Sequence, residues 1–124
     1  MDNTAIAALI DAQTARTSLD QAFYTDQDIY RRDIEEVFLR SWIYAGHVSE
    51  IPAVGDWFLF EMAGESVIIV RSDSGEINAL LNVCRHRGSR VCIEDNGRKS
   101  KFSCPYHAWT YDLDGNLVAA PRAA

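Results

Sequence analysis

The chain has 124 residues, enough for one modest core, and 48% of them are hydrophobic against 24% charged, which excludes a disordered chain. Twelve basic residues against eighteen acidic ones leave a formal net charge of −6, which argues against nucleic acid or an anionic membrane as the main partner. Three cysteines are an odd number for a disulfide scaffold, so they read as metal ligands or buried thiols.

The N-terminus, Met1-Asp2-Asn3, has no basic region, and the apolar stretch after it is cut by Asp11, so no targeting segment is visible. Residues 5–15 suit a short Ala-rich helix. Thr25-Asp26-Gln27-Asp28 then offers a capping side chain with acid in the first turn. Tyr30, Ile34, Val37, Phe38 and Trp42 recur at helical spacing, which predicts one amphipathic helix over 26–41.

After Pro52 and Gly55 the period changes. Segments 56–62, 66–71 and 77–82 are short runs rich in aromatic and β-branched residues, separated by Ala63-Gly64-Glu65 and Asp73-Ser74-Gly75, which read as hairpin turns. Asn96-Gly97 and Asp114-Gly115 predict two more turns, and strands are expected over 101–104, 109–113 and 116–118. The run Val67-Ile68-Ile69-Val70 is far too short to span a bilayer, so the expectation is a cytoplasmic protein without a membrane partner. The fold class expected is mostly β: a small antiparallel β-sandwich over 41–124, preceded by an N-terminal segment and amphipathic helix over 1–40. Residues 117–124 stop just after a strand with nothing to cap it, which fits either a natural tail or a point where a longer protein was cut.

Two short motifs carry the chemistry: Cys84-Arg85-His86 and Cys104-Pro105-Tyr106-His107, with seventeen residues between His86 and Cys104. Each offers one thiolate and one imidazole at the end of a predicted strand. In extended backbone, residues two apart point to the same side, so Cys84 and His86 can reach one group together. The set Cys84, His86, Cys104, His107 fits a structural zinc, or a Rieske [2Fe–2S] centre with two cysteines on one iron and two histidines on the other. Zinc fingers usually place both cysteines first and both histidines later on a helix; two mixed pairs between strands favour the Rieske centre. Unrelated burial would require all four residues to fall into mixed pairs by chance, in a chain with three Cys and three His.

Cys84-Arg85-His86-Arg87-Gly88 followed by Cys104-Pro105-Tyr106-His107-Ala108-Trp109-Thr110-Tyr111 resembles the Rieske domain of the alpha subunit of the Rieske non-haem iron (ring-hydroxylating) oxygenases. Upstream, Ala22-Phe23-Tyr24-Thr25-Asp26 and Ser41-Trp42-Ile43-Tyr44-Ala45-Gly46-His47 resemble the same family. One departure is Ala108, where many members carry Gly and a small residue is needed. Standalone Rieske ferredoxins lack the helix before residue 53. Respiratory Rieske proteins have a membrane anchor and an extra cysteine in each loop, where this chain has Tyr106 after Pro105.

The resemblance implies an electron-transfer domain with no catalytic residues of its own. It would accept electrons from a ferredoxin or reductase and pass them to a mononuclear iron, usually in a neighbouring subunit of a homo-oligomer, for dioxygen activation. That iron needs two histidines and a carboxylate, and with His86 and His107 committed only His47 is left, so this Fe(II) is expected only in a longer parent protein. The competing readings are a standalone Rieske carrier and a zinc-stabilised binding module. Two imidazoles in place of thiolates predict a potential between roughly −150 and +300 mV, toward the low end, against about −400 mV for all-cysteine plant-type centres. The substrate class, aromatic ring or quaternary amine, is not encoded in the Cys-Arg-His-Arg-Gly-Ser stretch, which occurs with both.

Half of the basic residues, Arg85, Arg87, Arg90, Arg98, Lys99 and Lys101, fall within 84–101 and form either a docking face for an acidic donor or a solvated loop surface. Trp109 and Tyr106 are expected to pack over the ligand loops, Cys92 to be a buried thiol and His47 a structural hydrogen-bonder. Asp112-Leu113-Asp114-Gly115-Asn116 lacks the spacing and closing glutamate of a calcium loop and reads as a hairpin turn.

Overall fold

The computed structural model describes residues 1–121, which divide into two compact units, Met1–Tyr44 and the remainder from Ala45. In the first, Asp2 caps α1 (Asn3–Asp11) by accepting the Ala5 N–H at 2.8 Å. A short turn, α2 (Ala22–Thr25), leads into α3 (Gln27–Arg32), whose cap Asp26 accepts from Asp28 and Ile29 at 2.9 and 3.1 Å. The Met1 ammonium pairs with Asp28, and Arg32 with Asn3, tying α1 to α3.

The single helix expected over 26–41 does not run as one. It passes into a π turn at Asp33–Val37 and a 3₁₀ turn at Phe38–Arg40. A π turn seats an extra residue and rotates the rest of the helix by about 100°, so the apolar positions do not stay on one stripe. Tyr30, Val37, Phe38 and Trp42 are exposed, Ile34 is half-buried, and Ile29, outside the expected stripe, is the residue that α3 buries.

The second unit is antiparallel β, as expected. β1 (Asp56–Met62), β2 (Glu65–Arg71), β3 (Ile77–Leu81) and β4 (Asn96–Arg98) form a four-stranded sheet in the order β3-β2-β1-β4; β5 (Phe102–Ser103), β6 (Thr110–Tyr111) and β7 (Leu117–Ala119) form a second sheet in sequence order. Alternation in β2 sends Ser66, Ile68 and Val70 inward. Ala63 and Gly64, with φ of 54° and 78°, make the tight β1–β2 turn that two positive φ values allow. The sheets meet where Trp57 of β1 packs edge-on against Phe102 of β5, ring centroids 6.0 Å apart. Both are almost fully buried, each contributing about 2–3 kcal/mol by leaving water.

Asn96-Gly97, read from sequence as a turn, is instead the middle of the β4 pairing: Asp56 opposes Arg98, Trp57 opposes Gly97 and Phe58 opposes Asn96. A Cβ on Gly97 would stand 3.2 Å from the Trp57 indole nitrogen, so the glycine serves ring packing across the ladder. The later strands are shorter than expected because their ends are drawn into loops: 101–104 shrinks to Phe102–Ser103 and 109–113 to Thr110–Tyr111. Asp112 is a turn hub, accepting from the N–H groups of Asp114 and Asn116, both at 2.9 Å. The expected tail at 117–124 lies partly outside the described residues; of it, Leu117–Ala119 form β7. Among the described residues no helix is long and apolar enough to cross a membrane.

Candidate metal centre

Two loops at one end of the sheets carry the four predicted residues. The first leaves the four-stranded sheet after β3 and holds Cys84 and His86; the second joins β5 to β6 and holds Cys104 and His107. Both are closed by the same pair of backbone bonds. The Cys84 N–H donates to Ser89 O and the Gly88 N–H to Cys84 O, both at 2.8 Å; the Cys104 N–H donates to Trp109 O at 2.8 Å and the Ala108 N–H to Cys104 O at 2.9 Å. The fifth residue of each loop has positive φ, 79° at Gly88 and 60° at Ala108. Position 108 therefore asks for more than a small side chain: its backbone is left-handed, where alanine is strained and glycine is not.

These closures place the thiols inside and the imidazoles outside. Cys84 and Cys104 are buried in the core, 2% and 3% exposed, whereas His86 is exposed and His107 half-buried. The two imidazole rings lie 4.7 Å apart at their centroids. Trp109 stacks on His86 at 4.6 Å and Tyr106 leans on His107 at 3.9 Å, so both aromatics pack over the loops as expected.

The Tyr111 hydroxyl oxygen accepts the Arg85 N–H at 3.0 Å and lies 3.4 Å from Cys84 Sγ, to which its O–H can donate. Burial alone would push the Cys84 thiol up. Hydrogen bonds from Tyr111, the His86 and Arg87 N–H groups and the Cys104 thiol outweigh it and hold Cys84 below the ordinary value. Burial, then the bond to Cys84, pushes Tyr111 up. Such a site favours a thiolate, the form that binds iron or zinc. Cys92 is the opposite case, 2% exposed and pushed by burial up to about 11, an inert core thiol.

The donor chemistry suits a two-metal group better than a single ion. Two thiols side by side within, and two imidazoles side by side without, match a [2Fe–2S] unit with sulfur at one iron and nitrogen at the other.

The other singled-out residues fall elsewhere. His47 caps the 3₁₀ turn Val48–Glu50: its Nδ1 accepts the Ser49 N–H at 3.2 Å, and Glu50 accepts the His47 N–H at 2.7 Å. The basic run 84–101 is not one face. Arg90 pairs with Glu61 at 2.7 Å, Arg98 with Asp56 at 2.5 Å, Lys99 sits over Trp57 and Arg87 over Tyr106, while Arg85 and Arg87 flank His86 in the first loop and Lys101 lies apart from it, just before β5. Sequence reasoning assigned no role to Tyr111 or Asn82. Tyr111 lies 27 residues from Cys84, so only the folded strands reveal the contact.

Residues 41–124 match the family described as Rieske [2Fe–2S] domain. The chain is 46% identical over 116 residues to the alpha subunit of biphenyl 2,3-dioxygenase from Rhodococcus jostii, covering 94% of this chain and 25% of that protein. It is 41% identical over 116 residues to the oxygenase subunit of glycine betaine monooxygenase from Pseudomonas aeruginosa, covering 94% and 27%. Its fold is similar to the crystal structure of naphthalene 1,2-dioxygenase from Rhodococcus sp. bound to indole, with a TM-score of 0.78 and 40% identity over 82% of this chain and 23% of that one. The chain thus spans about a quarter of the length of the relatives it matches. With its paired loops and this span of likeness, the chain belongs to the Rieske [2Fe–2S] domain family, in the branch found in the alpha subunits of Rieske oxygenases.

Proposed function

We propose that the chain holds a [2Fe–2S] cluster through Cys84 and Cys104 on one iron and His86 and His107 on the other. It would pass single electrons as the Rieske domain of a cytoplasmic oxygenase alpha subunit. The observation that carries this reading is the pairing itself: two buried thiols together and two imidazoles together at the surface, on loops with the same closure. The bound cluster supplies a one-electron site whose potential is raised by neutral ligands at one iron.

The protein's own groups tune and shield that site. Tyr111 places an O–H against the Cys84 sulfur and stabilises added negative charge there. Trp109 covers one face of the His86 ring and keeps water from it. His86, exposed and next to Arg85 and Arg87, offers an outer ring nitrogen to a carboxylate on a partner. That arrangement suits an acidic ferredoxin or reductase as donor, and a mononuclear non-haem iron site held outside these residues as acceptor, in a homo-oligomeric enzyme. The likeness to oxygenase subunits covers 94% of the chain, so it reaches well upstream of the β unit, which favours this reading over a standalone carrier. Relatives named for biphenyl and for glycine betaine share this region, so its residues serve electron delivery and not the choice of substrate.

The test is iron and acid-labile sulfide analysis with EPR of the dithionite-reduced protein, repeated for His107→Ala. Equal iron and sulfide and a reduced-cluster signal lost in the variant are expected. A colourless protein carrying zinc and no sulfide would overturn the proposal.

A further inference from the structure

Asn82 follows β3, is 1% exposed, and uses every hydrogen-bonding position of its side chain. Its Oδ1 accepts the N–H groups of Val91 and Cys92 at 3.0 and 2.8 Å. Its Nδ2 donates to the Cys92 carbonyl at 2.8 Å and to Ser66 Oγ at 3.1 Å. The backbone N–H of Asn82 donates to Ser66 O at 2.9 Å, which refers the whole arrangement to β2, a central strand.

The chain leaves the sheet after Leu81 and comes back beside Asn82 at Val91, ahead of β4, and the residues between carry Cys84 and His86. Inside the loop, the Cys84–Ser89 closure fixes the shape of the turn but not its place on the sheet. The neck fixes the place, and there one side-chain amide satisfies both buried N–H groups where a strand partner would otherwise serve. A shift of the loop by one residue would bury those two N–H groups without an acceptor. We propose that Asn82 is a positioning residue for the metal centre: its amide clasps the neck of the first loop and so fixes where Cys84 and His86 stand against Cys104 and His107. The inference rests on the cluster reading above and adds the part that holds one half of the ligand set in register.

Asn82→Asp is nearly isosteric, keeps both acceptors and removes both donors; Asn82→Ala removes all four bonds. Asn78→Ala is the control. Asn78 bonds Leu113 O at 2.9 Å and Asp114 Oδ1 at 2.8 Å, which ties β3 to the far turn without touching the loop. The cluster-loaded full chain is compared in three readouts: amide exchange at Val91 and Cys92, the rate of cluster loss to a chelator, and the EPR g-values after reduction. Both Asn82 variants should lose the cluster at least about tenfold faster and shift the g-values, and Asn82→Ala, which removes the acceptor, should also exchange those two amides at least about tenfold faster, while Asn78→Ala does none of these. If Asn82→Ala does not fold, Asn82→Asp alone decides. Wild-type cluster lifetime and g-values in Asn82→Asp, or an equal shift in Asn78→Ala, would overturn the clasp. A wild-type chain that takes up no iron and sulfide would instead overturn the cluster reading, and exchange at Val91 and Cys92 in the metal-free variants would still decide the clasp.

Discussion

The two ligand loops share one backbone closure and differ in how they are anchored. The first, Cys84–Ser89, hangs from side chains outside itself: the Asn82 amide at its neck and the Tyr111 hydroxyl, reaching across from the other sheet to Arg85 N and Cys84 Sγ. The second, Cys104–Trp109, is the end of its own hairpin, held by β5, β6 and a Ser103–Thr110 hydroxyl contact at 2.8 Å. The first is therefore sensitive to distant substitutions, the second to its own backbone. The difference also appears at the fifth position, where Gly88 takes positive φ without strain and Ala108 takes it with strain.

The largest expected effect comes from cutting the cross-brace. Tyr111→Phe removes the hydroxyl and keeps the ring, so the added electron loses a hydrogen bond at sulfur. The midpoint potential should fall by some tens of millivolts, about 60 mV for each tenfold in the electron-binding constant, with a stability loss of about 1 kcal/mol. Redox titration of the variant against wild type measures this; an unchanged potential would remove Tyr111 from the site.

Exchanging the fifth residues should give effects of opposite sign, read in stability and not in potential. Ala108→Gly relieves left-handed strain and should raise stability by about 0.5–1 kcal/mol in chemical denaturation, whereas Gly88→Ala should lower it by about 1–2 kcal/mol. No atom lies within 4 Å of a Cβ built on Gly88, so conformation alone sets that cost. Equal responses at the two sites would mean that the loops are not the equivalents their closures indicate.

The smallest effect tests the turn between β6 and β7, outside both loops. The Asn116 N–H first, helped by Asn116 Nδ2 and the N–H groups of Asp114 and Gly115, outweighs burial and holds the Asp112 carboxyl below its ordinary value of 3.8. A depressed carboxyl stabilises the fold above the unfolded value and loses that contribution as pH falls through the folded one, so the benefit is present at pH 7 and disappears below about pH 4. Asp112→Asn should flatten the acid limb of the stability profile slightly and leave the cluster unaffected. An unaltered limb would show that the turn carries no net stabilisation.

The sequence made the chemistry legible because two mixed Cys/His pairs are rare, and β1 to β3 because their aromatic and β-branched runs and glycine turns are local signals. What it concealed depends on long-range closure. Asn96-Gly97 carries the local signature of a turn and becomes a strand only because Trp57 needs a neighbour without a side chain. The stripe from Tyr30 to Trp42 assumed a constant helical period, and the π turn at Asp33–Val37 breaks it. Asn82 and Tyr111 read as an ordinary polar residue and an ordinary strand residue until folding brings their partners, nine to twenty-seven positions away, within reach.

The central claim is that sulfur grips one iron and imidazole the other. Nitrogen-coupled pulsed EPR of the dithionite-reduced protein tests it most directly. Two directly bound imidazole nitrogens are predicted, one from His86 and one from His107. A reduced cluster with no strongly coupled nitrogen would contradict the claim.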